Sequence, residues 1–181
     1  GAGGATGTLR LAPNTMLDAN LIVLGDLDAG IATTTSATLT FGTGTNTVVT
    51  PNFIVGRRKG TATATLPAGA TLNLTGPGGT GADLRIGSSD TNTGYPTTGT
   101  MTLTGGTFNA TLDELVIGYH LSKTGGSGTG TLSFDAGAVT ANSVVIGDAS
   151  TSAEGDGTGR GTLNLSGAAQ LTAGSMSLGT G

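Results

Sequence analysis

The apolar residues of this chain fall in short alternating stretches that return at a nearly constant interval. An apolar residue, a variable residue, a second apolar residue and a glycine occur together six times, ending at Gly25, Gly56, Gly87, Gly118, Gly147 and Gly179. Successive markers lie 31, 31, 31, 29 and 32 residues apart. The apolar pairs are Ile22/Leu24, Phe53/Val55, Leu84/Ile86, Leu115/Ile117, Val144/Ile146 and Met176/Leu178. A second pattern precedes each marker: threonine, then apolar, variable and apolar residues, starting at Thr8, Thr38, Thr71, Thr100, Thr131 and Thr162. Alternation with period two predicts strands that turn one face inward. A third, shorter strand is expected between these two, with Leu17, Val48, Phe108, Val139 and Leu171 inward. In the third repeat the run Gly76 to Gly81 stands in its place and predicts a looped rung. Nowhere do apolar residues keep a helical period, and glycine and threonine both disfavour helix.

Short strands joined by tight corners and repeated at a fixed interval describe a solenoid, in which each repeat buries its apolar face only by stacking on its neighbours. The predicted fold is all-β: a right-handed parallel β-helix of about six coils, ~31 residues and three short strands each, running as one β-solenoid through residues 1–181. A propeller of similar period would need longer strands and aromatic signatures. Two sets of corners are expected. Gly105-Gly106, Gly137 and Gly167 mark one, and Asn20, Asp113, Asn142 and Gly174 mark the other, all residue types that tolerate a left-handed backbone.

Composition sharpens this picture. With 35 Gly, no Trp, two Tyr and four Phe in 181 residues, an ordinary globular core would lack its large side chains. Charged residues are only 10% of the chain and the net charge is −4, which disfavours a nucleic-acid binder, since that needs a basic footprint. No apolar run reaches the roughly 18 residues of a membrane-spanning helix. Without cysteine there is neither a disulfide framework nor a thiolate metal site.

Candidate chemistry is sparse. The outward residue between each apolar pair reads Val23, Ile54, Arg85, Val116, Val145 and Ser177. Val23, Ile54, Val116 and Val145 would form an apolar stripe suited to packing against a neighbouring solenoid or the protein's own folded-over loop, or would simply reflect strand preference. The threonine column could present a hydroxyl array to ice or glycans, or simply reflect the strand preference of a β-branched residue. Variable loops follow each marker and build a ridge along one side, where solenoids usually place recognition. Arg57, Arg58, Lys59, Tyr95, Tyr119 and His120 are the candidate contacts there, the three cations being able to meet an anionic polysaccharide or an acidic neighbour, or simply to form a solvated loop run. His120 is read as a solvated loop residue. Asp83 and Glu114 share a column with Asn52, Ser143 and Ser175, one pair of carboxylates where polysaccharide-cleaving enzymes need a cluster. Asp148, Glu154 and Asp156 could hold a calcium ion in a long loop. Asn73, Asn109 and Asn164 begin Asn-x-Ser/Thr sequons on or beside strands. No catalytic, cofactor or metal site is assigned.

The units from Gly161 to Gly167, Leu171 to Ala173 and Ser177 to Gly179, and the copy from Gly130 to Gly147, resemble the autotransporter-associated β-strand repeats of bacterial surface proteins. Such repeats also occur in secreted proteins with a PEP-CTERM sorting tail. The resemblance implies export, a β-helix, a role in adhesion or matrix, and no shared catalytic residues. The expected function is therefore a non-enzymatic extracellular or cell-surface protein that forms a filament, matrix or surface layer. Its partners would be further copies of itself, head to tail or side by side, or flanking repeats of a longer chain, with surface polysaccharide as a further candidate. A second copy placed after Gly181 would bring its first marker 27 residues beyond Gly179, close to the native interval. An adhesin stalk contacting glycans through its corner loops is the alternative, and a polysaccharide-active enzyme a third.

Overall fold

The structure, a computed structural model, describes residues 4–27, 34–90, 95–121, 126–149 and 157–180. The first coil comprises β1 (Thr6–Arg10), β2 (Met16–Asp18) and β3 (Ile22–Leu24), and the second β4 (Thr35–Thr40), β5 (Thr45–Val49) and β6 (Asn52–Arg57). The third contains β7 (Gly60–Thr65), β8 (Thr71–Thr75) and β9 (Ala82–Ser89). In the fourth, β10 (Thr97–Thr102) precedes β11 (Thr107–His120), which bends through a corner and supplies two faces. The fifth and sixth coils are each one long bent strand, β12 (Ser127–Asp148) and β13 (Thr158–Thr180). Every pairing is parallel. The only helical element among the described residues is a 3-10 turn at Pro77–Gly79. The chain is thus an all-β parallel solenoid, whose described residues form six rungs on each of three faces, joined by five rung-to-rung steps.

The third face carries the marker motif in register. One inward column runs Ile22, Phe53, Leu84, Leu115, Val144, Met176, and the other Leu24, Val55, Ile86, Ile117, Ile146, Leu178. All four phenylalanines (Phe41, Phe53, Phe108 and Phe134) are fully buried, and the Phe108 and Phe134 rings meet edge to face at 5.5 Å. The six marker glycines all have φ between 63° and 77°, the left-handed region that a side chain disfavours. They also stand where the third face meets the first. A methyl group at Gly130 would strike the Ile86 carbonyl oxygen and the Gly118 amide, and Gly99 and Gly161 are enclosed in the same way. Two glycine columns therefore let two backbones touch.

The first and second faces differ from the expected alignment in the third repeat. Thr38 and Leu39 pair with Thr63 and Ala64, which pair in turn with Thr100 and Met101. Leu72 does not sit between Leu39 and Met101. The strand β8 that holds it lies on the second face, between β5 and β11, so the third repeat has an ordinary second strand. The run Gly76 to Gly81 is the corner after that strand, not a replacement for it. Ala62 and Ala64 are buried, but their small side chains hid the first-face strand among apolar residues of greater bulk. Phe108 likewise belongs beside Leu72, while Ala110 continues the Val48, Leu74, Val139, Leu171 column. Asn46 occupies an inward position opposite Leu72. Its amide donates to the carbonyls of Gly42, Gly44 and Thr71 and its carbonyl accepts from the Gly42 N–H, which compensates its burial.

Gly105, Gly137 and Gly167 adopt positive φ as expected at their corner. Asn20, Asp113, Asn142 and Gly174 do not. At that corner β11, β12 and β13 bend with the backbone still extended, and Asn142 donates to Asp113 across the rung at 3.0 Å.

Candidate interaction surfaces

The expected apolar stripe is in register but is not a free surface. Val23, Ile54, Val116 and Val145 share one column with Arg85 and Ser177. Ile54 and Val116 are only 7% and 4% exposed, and Val23 and Val145 are half-buried. The chain itself already covers the middle of the stripe, so it offers little to a lateral neighbour.

The cationic run Arg57-Arg58-Lys59 is likewise engaged within the chain. Arg58 forms a forked pair with Asp26, through Nε to Oδ1 at 2.7 Å and Nη2 to Oδ2 at 2.6 Å. Arg57 reaches Asp90 at 2.7 Å on the following coil and Asp26 at 3.5 Å on the preceding one. Lys59 is buried, and its ammonium lies 4.1 Å from the centroid of the Tyr95 ring. Its backbone N–H donates to the Thr97 hydroxyl at 2.9 Å. These bonds hold the two-residue turn between β6 and β7, where Arg58 and Lys59 take φ of 35° and 55°. Such a backbone costs roughly 1–2 kcal/mol per residue. Cross-coil ion pairs, each worth up to about 1 kcal/mol at this exposure, offset part of that cost. The acidic partners lie about one coil away in sequence, a spacing that would have revealed them.

Tyr95 is 41% exposed, and Tyr119 is half-buried near the end of β11. His120 is not the solvated loop residue expected: it ends β11 opposite Ser89 and is 1% exposed. Neither ring nitrogen has a hydrogen-bond partner among the described residues, and desolvation lowers its pKa below the usual 6.5. Glu154 and Asp156 lie outside the described residues, as does the calcium reading that depends on them. Among the described residues, no group of three potential ligands that could hold a metal ion is present.

Asp83 and Glu114 are neighbours in their column, between Asn52 and Ser143. Glu114 accepts a 2.6 Å ion pair from Arg85 on the adjoining rung, and both side chains are about one-third exposed. That is cross-strand charge pairing of the kind that stabilises sheets. On the second face Asn109 donates to Asn73 at 3.0 Å and accepts from the Ala138 N–H at 3.3 Å. The ladder stops at Ala138. Beside this small residue lies a shallow depression of about 260 Å³, bordered by Asn73, Asn109, Thr75 and Thr140.

The first face is more uniform than the sequence alone suggested. Three outward columns run in unbroken register. One reads Thr6, Ser36, Thr61, Thr98, Thr129, Arg160, the central one Thr8, Thr38, Thr63, Thr100, Thr131, Thr162, and the last Arg10, Thr40, Thr65, Thr102, Ser133, Asn164. Thr71 is not in the central column; Thr63 takes that place. On the middle four coils all twelve positions carry a hydroxyl.

The two ends form the last surface. Leu9 on the first rung is 47% exposed, and Leu165, Met176 and Leu178 on the last are 43%, 48% and 66% exposed. All four occupy inward columns whose equivalents on interior rungs are buried. In β1 and β13 one strand edge pairs with the neighbouring coil and the other with no described strand. Comparisons with protein-family models, with curated proteins and with solved structures find no match.

Proposed function

We propose that this chain is a structural unit of an extracellular or bacterial cell-surface solenoid, extended by the stacking of further coils on its ends into a filament, matrix or surface layer. The exposed core columns at both ends carry this reading. Leu9, Leu165, Met176 and Leu178 present apolar area that a coil in register would cover. The open strand edges would supply backbone donors and acceptors to the same partner. That partner is another copy of the chain or adjoining repeats of a longer one. The resemblance to autotransporter-associated repeats supports the surface location. An adhesin role is the second reading, favoured by Tyr95 and Leu121, which stand exposed beside the ridge loops. No catalytic role is proposed, since Glu114 is tied to Arg85.

Electron microscopy of the concentrated chain tests self-stacking, with fibres one solenoid wide as the expected result. Leu165→Lys with Leu178→Lys should abolish them by placing charge on the end face. Monodisperse particles at every concentration would refute head-to-tail assembly. A glycan array with loop-shortened variants tests the adhesin reading.

A further inference from the structure

We propose that the first face is an ice-binding surface, a function separate from the stacking of coils. The observation is the hydroxyl grid of Ser36, Thr38, Thr40 and the nine positions below them, three columns wide and four rungs deep. Rungs of a parallel sheet are about 4.8 Å apart, and alternate residues of a strand about 6.6 Å apart. The grid thus repeats in two dimensions on the scale of oxygen repeats on an ice face. A single small ligand has no use for such a repeat; a crystalline one meets every site at once, and weak contacts on a rigid frame add up.

The side-chain chemistry fits water ordered as ice. Each threonine presents a methyl group, around which water is orientationally restricted, and a hydroxyl that both donates and accepts. Their χ1 angles are stiffened by β-branching, so little freedom is lost on binding. Thr63 donates to Thr38 along the central column at 3.4 Å, an example of ordering between rungs. Charges would impose hydration shells that no ice lattice accommodates. Arg10 and Arg160 stand only on the first and last rungs, and the middle four are free of charge. The other two faces break this pattern. Asp83, Arg85 and Glu114 interrupt the third, and Asn73, Asn109 and Ala138 the second. Uniformity is confined to one face, although the whole chain is rich in threonine.

The test uses the intact chain in nanolitre osmometry and an ice-recrystallisation assay. Wild type should shape ice crystals and suppress recrystallisation. Thr100→Lys and Thr63→Lys, at the centre of the grid and pointing outward, should lose that activity while keeping the strand-type circular dichroism spectrum. Thr111→Lys on the second face should retain it. Folded wild type without effect on ice would overturn the proposal, as would full activity in both central variants. Adsorption to crystalline cellulose with no effect on ice would also overturn it and assign the face to polysaccharide.

Discussion

His120 is buried at the end of β11, and desolvation favours its neutral form. Its folded pKa lies below 6.5, so the unfolded chain takes up the proton first as pH falls. Stability from this group is complete above pH 6.5 and is lost as pH drops through that value toward the folded pKa, at no more than about 1.4 kcal/mol per pH unit. The melting temperature should therefore decline as pH falls below 6.5. His120→Leu, which keeps an apolar side chain without a titrating group, should flatten that decline. An unchanged slope in the variant would show that other groups set the acid sensitivity. Nothing in the residue pattern signals this burial, because a histidine two places after a marker glycine resembles the start of a loop. Strand β11 in fact runs on past Gly118.

At the level of strands, legibility followed side-chain bulk. Every rung of the third face could be read directly, since each is bracketed by two bulky apolar residues and a glycine that the corner requires. The first-face strand β7 could not, because Ala62 and Ala64 fill their columns with a single methyl group each. The neighbouring β8, with Leu72 and Leu74, imitated the missing motif. The turn at Arg58 and Lys59 compounded the error by being shorter than its counterparts and shifting residues to later corners. Ion pairs between coils, such as Arg57 with Asp90, could be suspected from the repeat interval, but the side chains that meet follow only from the register. Once it is known, column position should predict the cost of a substitution. Leu84→Ala removes a fully buried side chain from the middle of its column and should cost about 2–5 kcal/mol in denaturant unfolding. Met176→Ala in the same column, on a rung with one neighbour, should cost under about 1 kcal/mol in the dilute chain. Equal costs would mean that the last coil is already covered.

Across the whole molecule, the same asymmetry becomes a gradient. A solenoid has almost no contacts beyond adjacent coils, so its stability is close to a sum of coil and interface contributions. Interior coils have two interfaces and end coils one. Hydrogen exchange on the dilute chain should show slowest exchange in β9, β11 and the middle of β12, and faster exchange in β1, β2 and β13. Stacking would remove the difference. In assembled material the amides of β1 and β13 should slow toward interior values, while those of β9 and β11, already enclosed, change little. Lateral association predicts something else: protection along one face on all coils, with the ends still fast. Uniform exchange throughout the dilute chain would show that the six coils unfold as one unit, and fast ends in assembled fibres would show that growth does not proceed coil upon coil.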